Sequence, residues 1–379
     1  MNNQLSYWEK TAFFDFDIII VGSGIVGLNA AIHLITTIPK LKIAILESGF
    51  LPSGASTKNA GFACFGSISE LMEQEKICGI NALADLIEKR WKGMLKLRKI
   101  LGDDKIDYKQ LGGYELFKPD DKILSTDCVV KIEHYNKLIH SIIGPDAFKV
   151  NNSKLKIFGF EGIESIIENR YEAQIDTGKM MFALIQLAQQ LGVSIFNSCE
   201  VEEISTDENK PIVKTRQGNF KGKKVIVTIN AFVNKLIPGL DVKPGRGQVL
   251  VTKPIKKLKV AGTFHYDKGY YYFRNINDRI LLGGGRNLDF RTEETTELGL
   301  TTKIQDALYN LLNEVILPGT DFEIDYKWSG IMAFGKTLSP IITEAKPNVF
   351  CAVRCNGMGV AMGSQTGADV AELVLRDFF

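Results

Sequence analysis

The stretch from Asp17 to Glu47, DIIIVGSGIVGLNAAIHLITTIPKLKIAILE, decides the fold. It runs through an apolar segment, a glycine-rich turn, a small-residue helix, a second apolar segment and a terminal acid. That order holds the adenosine diphosphate half of a dinucleotide. Ile18 to Val21 are β-branched throughout and stop at glycine, which predicts a short strand buried on both faces. Gly22 makes the tight turn. Gly24 lets a pyrophosphate approach the backbone and the amides of Ile25 and Val26 that open the helix, and Gly27 lets that helix pack closely on the strand. Glu47 ends the strand Lys42 to Leu46, where an acid accepts hydrogen bonds from ribose hydroxyls and repels a 2'-phosphate. The pattern leaves flavin and nicotinamide both open.

A chain of 379 residues buries a large core and suggests two domains, or one with a substantial insertion. A net charge of +2 gives no footing for nucleic-acid binding, and Lys256, Lys257 and Lys259 read as a solvated turn. The polar opening MNNQLSYWEK is unlike a signal peptide, and no apolar run reaches the length of a membrane span, so a cytoplasmic enzyme without an integral membrane segment is expected. The six cysteines form no CxxC pair and the four histidines are scattered, so the expectation is reduced thiols and no metal site.

After Glu47 and Ser48 the chain turns to small residues. Gly54, Ala55, Ser56, Asn59, Ala60 and Gly61 offer amides and short polar groups without side-chain bulk, which suits close approach to a flat ligand. Periodicity predicts helices over 68–101, 127–143 and 299–317, and one opening at Asp176 or Thr177 and closed by Gly192. Strands are expected over 113–118, 194–197, 201–204, 212–215 and 224–228. Two more strands meet at a hairpin turn, Asn275 to Asp278. Alternation along YYYFR puts Tyr270, Tyr272 and Arg274 on one face and Tyr271 and Phe273 on the other. The first face either lines a pocket, offering hydroxyls and a guanidinium, or is ordinary aromatic pairing in a half-exposed sheet. Arg246, between two glycines, carries the same ambiguity.

The segment GASTKNAG, following the glycine turn and the acid, resembles the second flavin-contacting motif of the D-amino-acid oxidase superfamily, which includes glycine oxidase, sarcosine oxidase and D-amino-acid dehydrogenase. The tail WSGIMAFGKTLSPIITEAKPNVFCAVRCNGMGVAMGSQTGADVAELVL resembles the same family, whose chain there re-enters the nucleotide domain. The resemblance implies an α/β fold: a discontinuous Rossmann-like FAD-binding domain (1–75, 150–235 and 335–379) and an inserted α+β substrate domain on a mixed or antiparallel sheet (76–149 and 236–334). It implies that Val201 presents its backbone to the adenine and that Asn230, Ala231 and Gly330 lie near the flavin. Asn356, Gly357, Met358, Gly359, Val360, Ala361 and Met362 match a turn facing the isoalloxazine, with the last helix over Thr366 to Leu375.

The implied activity is oxidation of the C–N bond of an amine or amino acid by hydride transfer from the carbon bearing the nitrogen to FAD N5, followed by hydrolysis of the imine; oxygen or another acceptor then takes the electrons. The alternative keeps the flavin and takes a 2-hydroxy acid or polyol phosphate. A nicotinamide dehydrogenase would leave the two later small-residue turns without a role, and a nonenzymatic flavin binder is the remaining alternative. Members that attach flavin covalently use a cysteine near the segment matching Lys336 to Pro340, where this chain has none, so FAD is expected to be noncovalent. Amino-acid oxidases of the family grip the substrate carboxylate with an arginine at the position of Met332. Either Arg246, Arg274 or Arg354 replaces it, or the substrate lacks a carboxylate. Tyr270 and Tyr272 complete the candidate substrate pocket.

Overall fold

The computed structural model describes residues 6–207 and 210–376. The chain divides into two compact units, the first formed by residues 1–57, 178–243 and 333–379 and the second by 58–177 and 244–332.

In the first unit the strand Asp15–Val21 sits inside a sheet, paired in parallel with Ile43–Leu46 on one side and Gly218–Val227 on the other. Ser194–Phe196 extends the sheet beyond Ile43–Leu46, and Val349–Val353 extends it beyond Gly218–Val227, both in parallel register. Strand order therefore reverses at the first strand, and in such sheets ligands bind at the carboxyl ends beside that switch point. Ile18, Ile19 and Ile20 are fully buried, as expected for a strand covered on both faces. The helix Ile25–Thr37 packs against the last helix, Gly359–Leu375. A Cβ on Gly363 would come within 2.6 Å of Ile25 Cγ2, and one on Gly367 within 2.6 Å of the Val26 carbonyl oxygen. Both glycines are thus dictated by helix contact. The last helix starts at Gly359, seven positions before the expected Thr366, so Gly359 to Met362 form its first turn.

The second unit is built on a mixed sheet with strand order 324–334, 243–252, 279–284, 271–276, 263–266, 113–117, 165–169 and 148–150. Thr263–Tyr266 pairs in parallel with Gly113–Phe117, whereas 243–252 with 279–284, 279–284 with 271–276, 271–276 with 263–266, 113–117 with 165–169 and 165–169 with 148–150 are antiparallel. Residues 150–177, expected with the nucleotide domain, lie in this unit, because Ser165–Asn169 pairs with Gly113–Phe117. The hairpin forms with Ile276 opposite Arg279, and Asn277 supplies its left-handed backbone at φ 51°. Tyr271 and Phe273 enter the core with Phe264 and Leu282, while Tyr272 packs on the opposite face with Val249, Val251 and Leu281. The helix Ile68–Leu101 runs as expected apart from a break at Gly79, whose φ is 79°. Residues 299–317 contain a shorter helix, Thr302–Leu311, closed by the wider turn Leu312–Ile316.

Candidate active site

In the first unit the glycine turn has the geometry that its composition demands. Gly22 has a φ of +101°, a conformation costly for any residue with a Cβ. A Cβ on Gly27 would strike the Gly22 carbonyl and come within 2.6 Å of Thr228 Oγ1. Thr228 itself donates to the Val21 and Gly22 carbonyls at 2.9 and 3.0 Å, locking the turn to the neighbouring strand. The sequence placed Thr228 only as the end of a strand; its bond spans over two hundred residues of chain.

Ser56 reaches back to the helix start, where its Oγ accepts from the Ile25 amide at 2.9 Å. Gly24 could not carry a side chain, since a Cβ would lie 2.9 Å from that hydroxyl. The helix N-terminus thus sets a serine hydroxyl beside its first amides, which lack partners within their own helix and suit an anion. Glu47 is buried and held rigid: Oε2 accepts from the Ser23 amide at 3.1 Å and its hydroxyl at 2.6 Å, and Oε1 from the Gly49 amide at 2.9 Å. Ser48 Oγ lies 3.4 Å from Oε1. A carboxylate has about four acceptor positions, so a ribose hydroxyl would take the place of the long Ser48 bond. Beside Gly54 and Gly359 a Cβ would meet no atom within 4 Å. The glycine turn, the serine and the acid thus fit the adenosine and pyrophosphate end of FAD.

After the strand Val349–Val353, Arg354, Asn356 and Gly357 take left-handed backbone (φ 69°, 47° and 81°) and lead into the last helix. Asn356 Nδ2 donates to the Thr337 and Leu338 carbonyls at 3.2 and 2.8 Å, and Asn230 Oδ1 accepts from the Arg354 amide at 3.1 Å. Ala231 is buried beside Asn230, and Val201 is half-buried at the start of its strand. The first amides of Gly359, Val360 and Ala361 lack partners within their own helix, which suits them to electron-rich ring atoms.

The second unit carries Asn59, Ala60 and Gly61. Asn59 Oδ1 accepts from the Gly61 amide and the Thr177 hydroxyl, both at 2.9 Å. This segment lies over one face of the sheet: Arg274 Nε donates to the Ala60 carbonyl, and the Phe62 ring meets Tyr272 edge-on at 5.8 Å. On the same face a Cβ at Gly247 would lie 2.9 Å from Met332 Cε, and one at Gly283 would lie 2.7 Å from the Tyr272 hydroxyl. Gly247 and Gly283 thereby make room for the two candidate side chains, a role the sequence did not single out. Burial pushes the Tyr272 phenol up to about 12, so it stays neutral. Trp328 donates to the Lys58 carbonyl at 3.0 Å, and a Cβ on Gly330 would meet Lys58 at 3.0 Å.

The arginines are committed elsewhere. Arg246 makes a two-pronged pair with Glu293, at 2.7 and 3.0 Å, and both residues are buried. Burial alone would raise the Glu293 carboxyl, but hydrogen bonds from Arg246, Gln248 and Thr301 outweigh it and leave it lowered. Arg274 is buried against backbone carbonyls, including Ile175 at 2.9 Å, and burial lowers it to about 10. Arg354, in the first unit, binds Asp241 at 2.8 Å and the Ser339 carbonyl at 2.8 Å. Tyr270 lies just before its strand, partly exposed beside Phe290 with ring centroids 6.0 Å apart. Tyr272, Arg274 and Met332 share the sheet face; Tyr270, Arg246 and Arg354 do not join them there.

The chain belongs to the FAD-dependent oxidoreductase family, whose model matches residues 17–373. It is 23% identical to the glycine oxidase of Geobacillus kaustophilus, over 95% of this chain and 93% of that one. It is also 23% identical to gamma-glutamylputrescine oxidoreductase of Escherichia coli, over 95% of this chain and 84% of the relative. Among solved structures, L-proline dehydrogenase from P. horikoshii superposes with a TM-score of 0.78 at 18% identity, covering 96% of this chain and 94% of that one. FAD dependence and oxidoreductase activity follow from the family. Among the described residues no helix is long and apolar enough to cross a membrane.

Proposed function

We propose that this protein oxidises the C–N bond of a small amine that lacks an α-carboxylate, with FAD held noncovalently. The commitment of the arginines carries this reading. Arg246 has Glu293, Arg354 has Asp241, and Arg274 is spent on backbone carbonyls, while the position resembling the family's carboxylate clamp holds Met332. Breaking the buried Arg246–Glu293 pair to free that guanidinium would cost about 3–5 kcal/mol. A substrate carboxylate, whether of an amino acid or of a 2-hydroxy acid, would therefore find no ready partner among these residues. The names of the relatives support C–N chemistry: gamma-glutamylputrescine is an amine derivative and glycine and proline are amino acids.

When bound, FAD supplies the hydride acceptor. The protein's part is to orient and exclude water. Tyr272, Phe62 and Trp328 make an aromatic wall of the second unit, and Met332 adds an apolar, polarisable surface for the substrate carbon chain. The neutral phenol of Tyr272 offers a hydrogen bond without adding charge. The imine product hydrolyses in water.

The test is an anaerobic screen in which the visible flavin band is followed as amines, D- and L-amino acids and hydroxy acids are added. Amines without a carboxylate should bleach it fastest; bleaching by hydroxy acids alone would overturn the reading, as would a protein that stays colourless after refolding with FAD. Met332→Arg should shift preference toward amino acids, read as a rise in their kcat/KM relative to the amine's.

A further inference from the structure

A second cluster of chemically active side chains lies in the second unit, beside the aromatic wall, where the His265 ring meets Phe62 edge-on at 5.6 Å. Cys64, Glu172 and His265 come from three distant segments, yet their ligand atoms all lie within 4.8 Å of one another and all three residues are buried. The fold explains the gathering. Phe62–Ala63 pairs antiparallel with Ala173–Gln174, and continuing that register sets Cys64 opposite Glu172. Thr263 and His265 lie two apart on one face of their strand, and the parallel neighbours opposite them are Gly113 and Glu115. Gly113 has no side chain because a Cβ there would overlap the Glu172 carboxylate.

Within this enclosure Glu172 Oε2 accepts from the Thr263 hydroxyl at 2.8 Å and faces His265 Nε2 at 3.0 Å. Its other oxygen, Oε1, is buried and has no hydrogen-bond partner among the described residues. A buried carboxylate oxygen without a donor is costly, and it marks the place where a cation or a water belongs. The other ring nitrogen of His265, Nδ1, lies 3.6 Å from Glu70 Oε2. That arrangement resembles the carboxylate-histidine pairing that orients imidazole ligands, and it turns Nε2 toward Glu172. Burial and the neighbouring charges of Glu172 and Glu70 hold the Cys64 thiol well above its ordinary range, so it is protonated without a cation beside it.

The geometry points to a divalent metal site formed by Cys64 Sγ, His265 Nε2 and Glu172 Oε1, with a fourth position for water and Zn²⁺ as the best-matched ion. One thiolate, one imidazole and one carboxylate suit a borderline-soft ion that accepts four ligands, and the two anionic ligands neutralise its charge. Binding sends the thiol proton and the Nε2 proton to solvent and exchanges the His265–Glu172 hydrogen bond for bonds to the ion. The ion would tie the 62–63 and 173–174 pair to the 263–266 strand of the sheet.

The flavin-loaded protein, stripped with a chelator, is given one equivalent of Zn²⁺, desalted and assayed for bound metal by mass spectrometry and X-ray absorption. The expected result is stoichiometric zinc with one sulfur at about 2.3 Å and nitrogen or oxygen at about 2.0–2.2 Å. Glu70→Gln, which leaves all three ligands in place, should weaken binding about 10–100-fold in a chelator competition. Cys64→Ser and Glu172→Gln should lose retention. Zinc that does not survive desalting, zinc without a sulfur neighbour, or equal retention by Cys64→Ser would each overturn the proposal; the sulfur measurement needs only the wild-type chain.

Discussion

The two units solve the problem of placing functional groups in opposite ways. The first presents backbone: Gly22, Gly24 and Gly27 keep side chains away, and the polar groups of Ser56 and Glu47 merely fix the edges of what the main chain offers. The second presents side chains on a sheet face, with its glycines at 113, 247 and 283 serving to make room for neighbours. Backbone sites are intolerant of any added atom, whereas side-chain sites fail when one partner of a buried pair is removed.

The largest effect expected from that contrast falls in the second unit. Glu293→Ala leaves Arg246 buried and unpaired and should cost about 3–5 kcal/mol of unfolding free energy, measured by urea titration. An unchanged midpoint would show that the pair does not behave as a buried one. Acid provides a gentler version of the same test. The folded Glu293 carboxyl is lowered, so its stabilisation is present above the unfolded value of about 4.3 and is lost as pH falls through the folded value. The stability gap between wild type and Glu293→Gln should therefore close on acidification; a gap that widens would reverse the assignment.

Next comes the first unit, where Gly27→Ala forces a methyl against the Gly22 carbonyl and Thr228, costing about 1–3 kcal/mol. Flavin content of the purified protein should fall with it, and full retention of yellow colour at wild-type stability would count against the turn as drawn. The smallest change is Ser56→Ala, which removes one acceptor from the Ile25 amide at a cost of about 0.5–1.5 kcal/mol. FAD affinity measured by fluorescence should drop several-fold, and no change would leave Ser56 a bystander.

The contrast also explains what could be read in the sequence. From Asp17 to Glu47 every functional group is specified by neighbours close in the chain, so strand, turn, helix and acid were legible residue by residue. The alternation of Tyr271 and Phe273 against Tyr272 and Arg274 was legible for the same reason. Pairings such as Arg246 with Glu293, Thr228 with Val21, or Cys64 with Glu172 and His265 were not, because each depends on which strands become neighbours. The expectation of no metal site treated scattered histidines as separated in space, and strand pairing brings one of them to a cysteine. The resemblance puts the last helix at Thr366 rather than Gly359 because it matches Gly357 to Met362 to a turn, and part of that turn is already helical. Gly363 and Gly367 are tolerated there because Ile25 and Val26 press directly against them.

That contact between the helix 25–37 and the helix 359–375 sets a timetable for biosynthesis. At about 5–20 residues per second the ribosome needs tens of seconds to travel from one helix to the other. Throughout that interval the buried face of the early helix, with Leu28, Ile32 and Ile35, waits without the late helix that covers part of it. The dinucleotide clamp, although its strand and turn are made early, is therefore among the last parts to be completed.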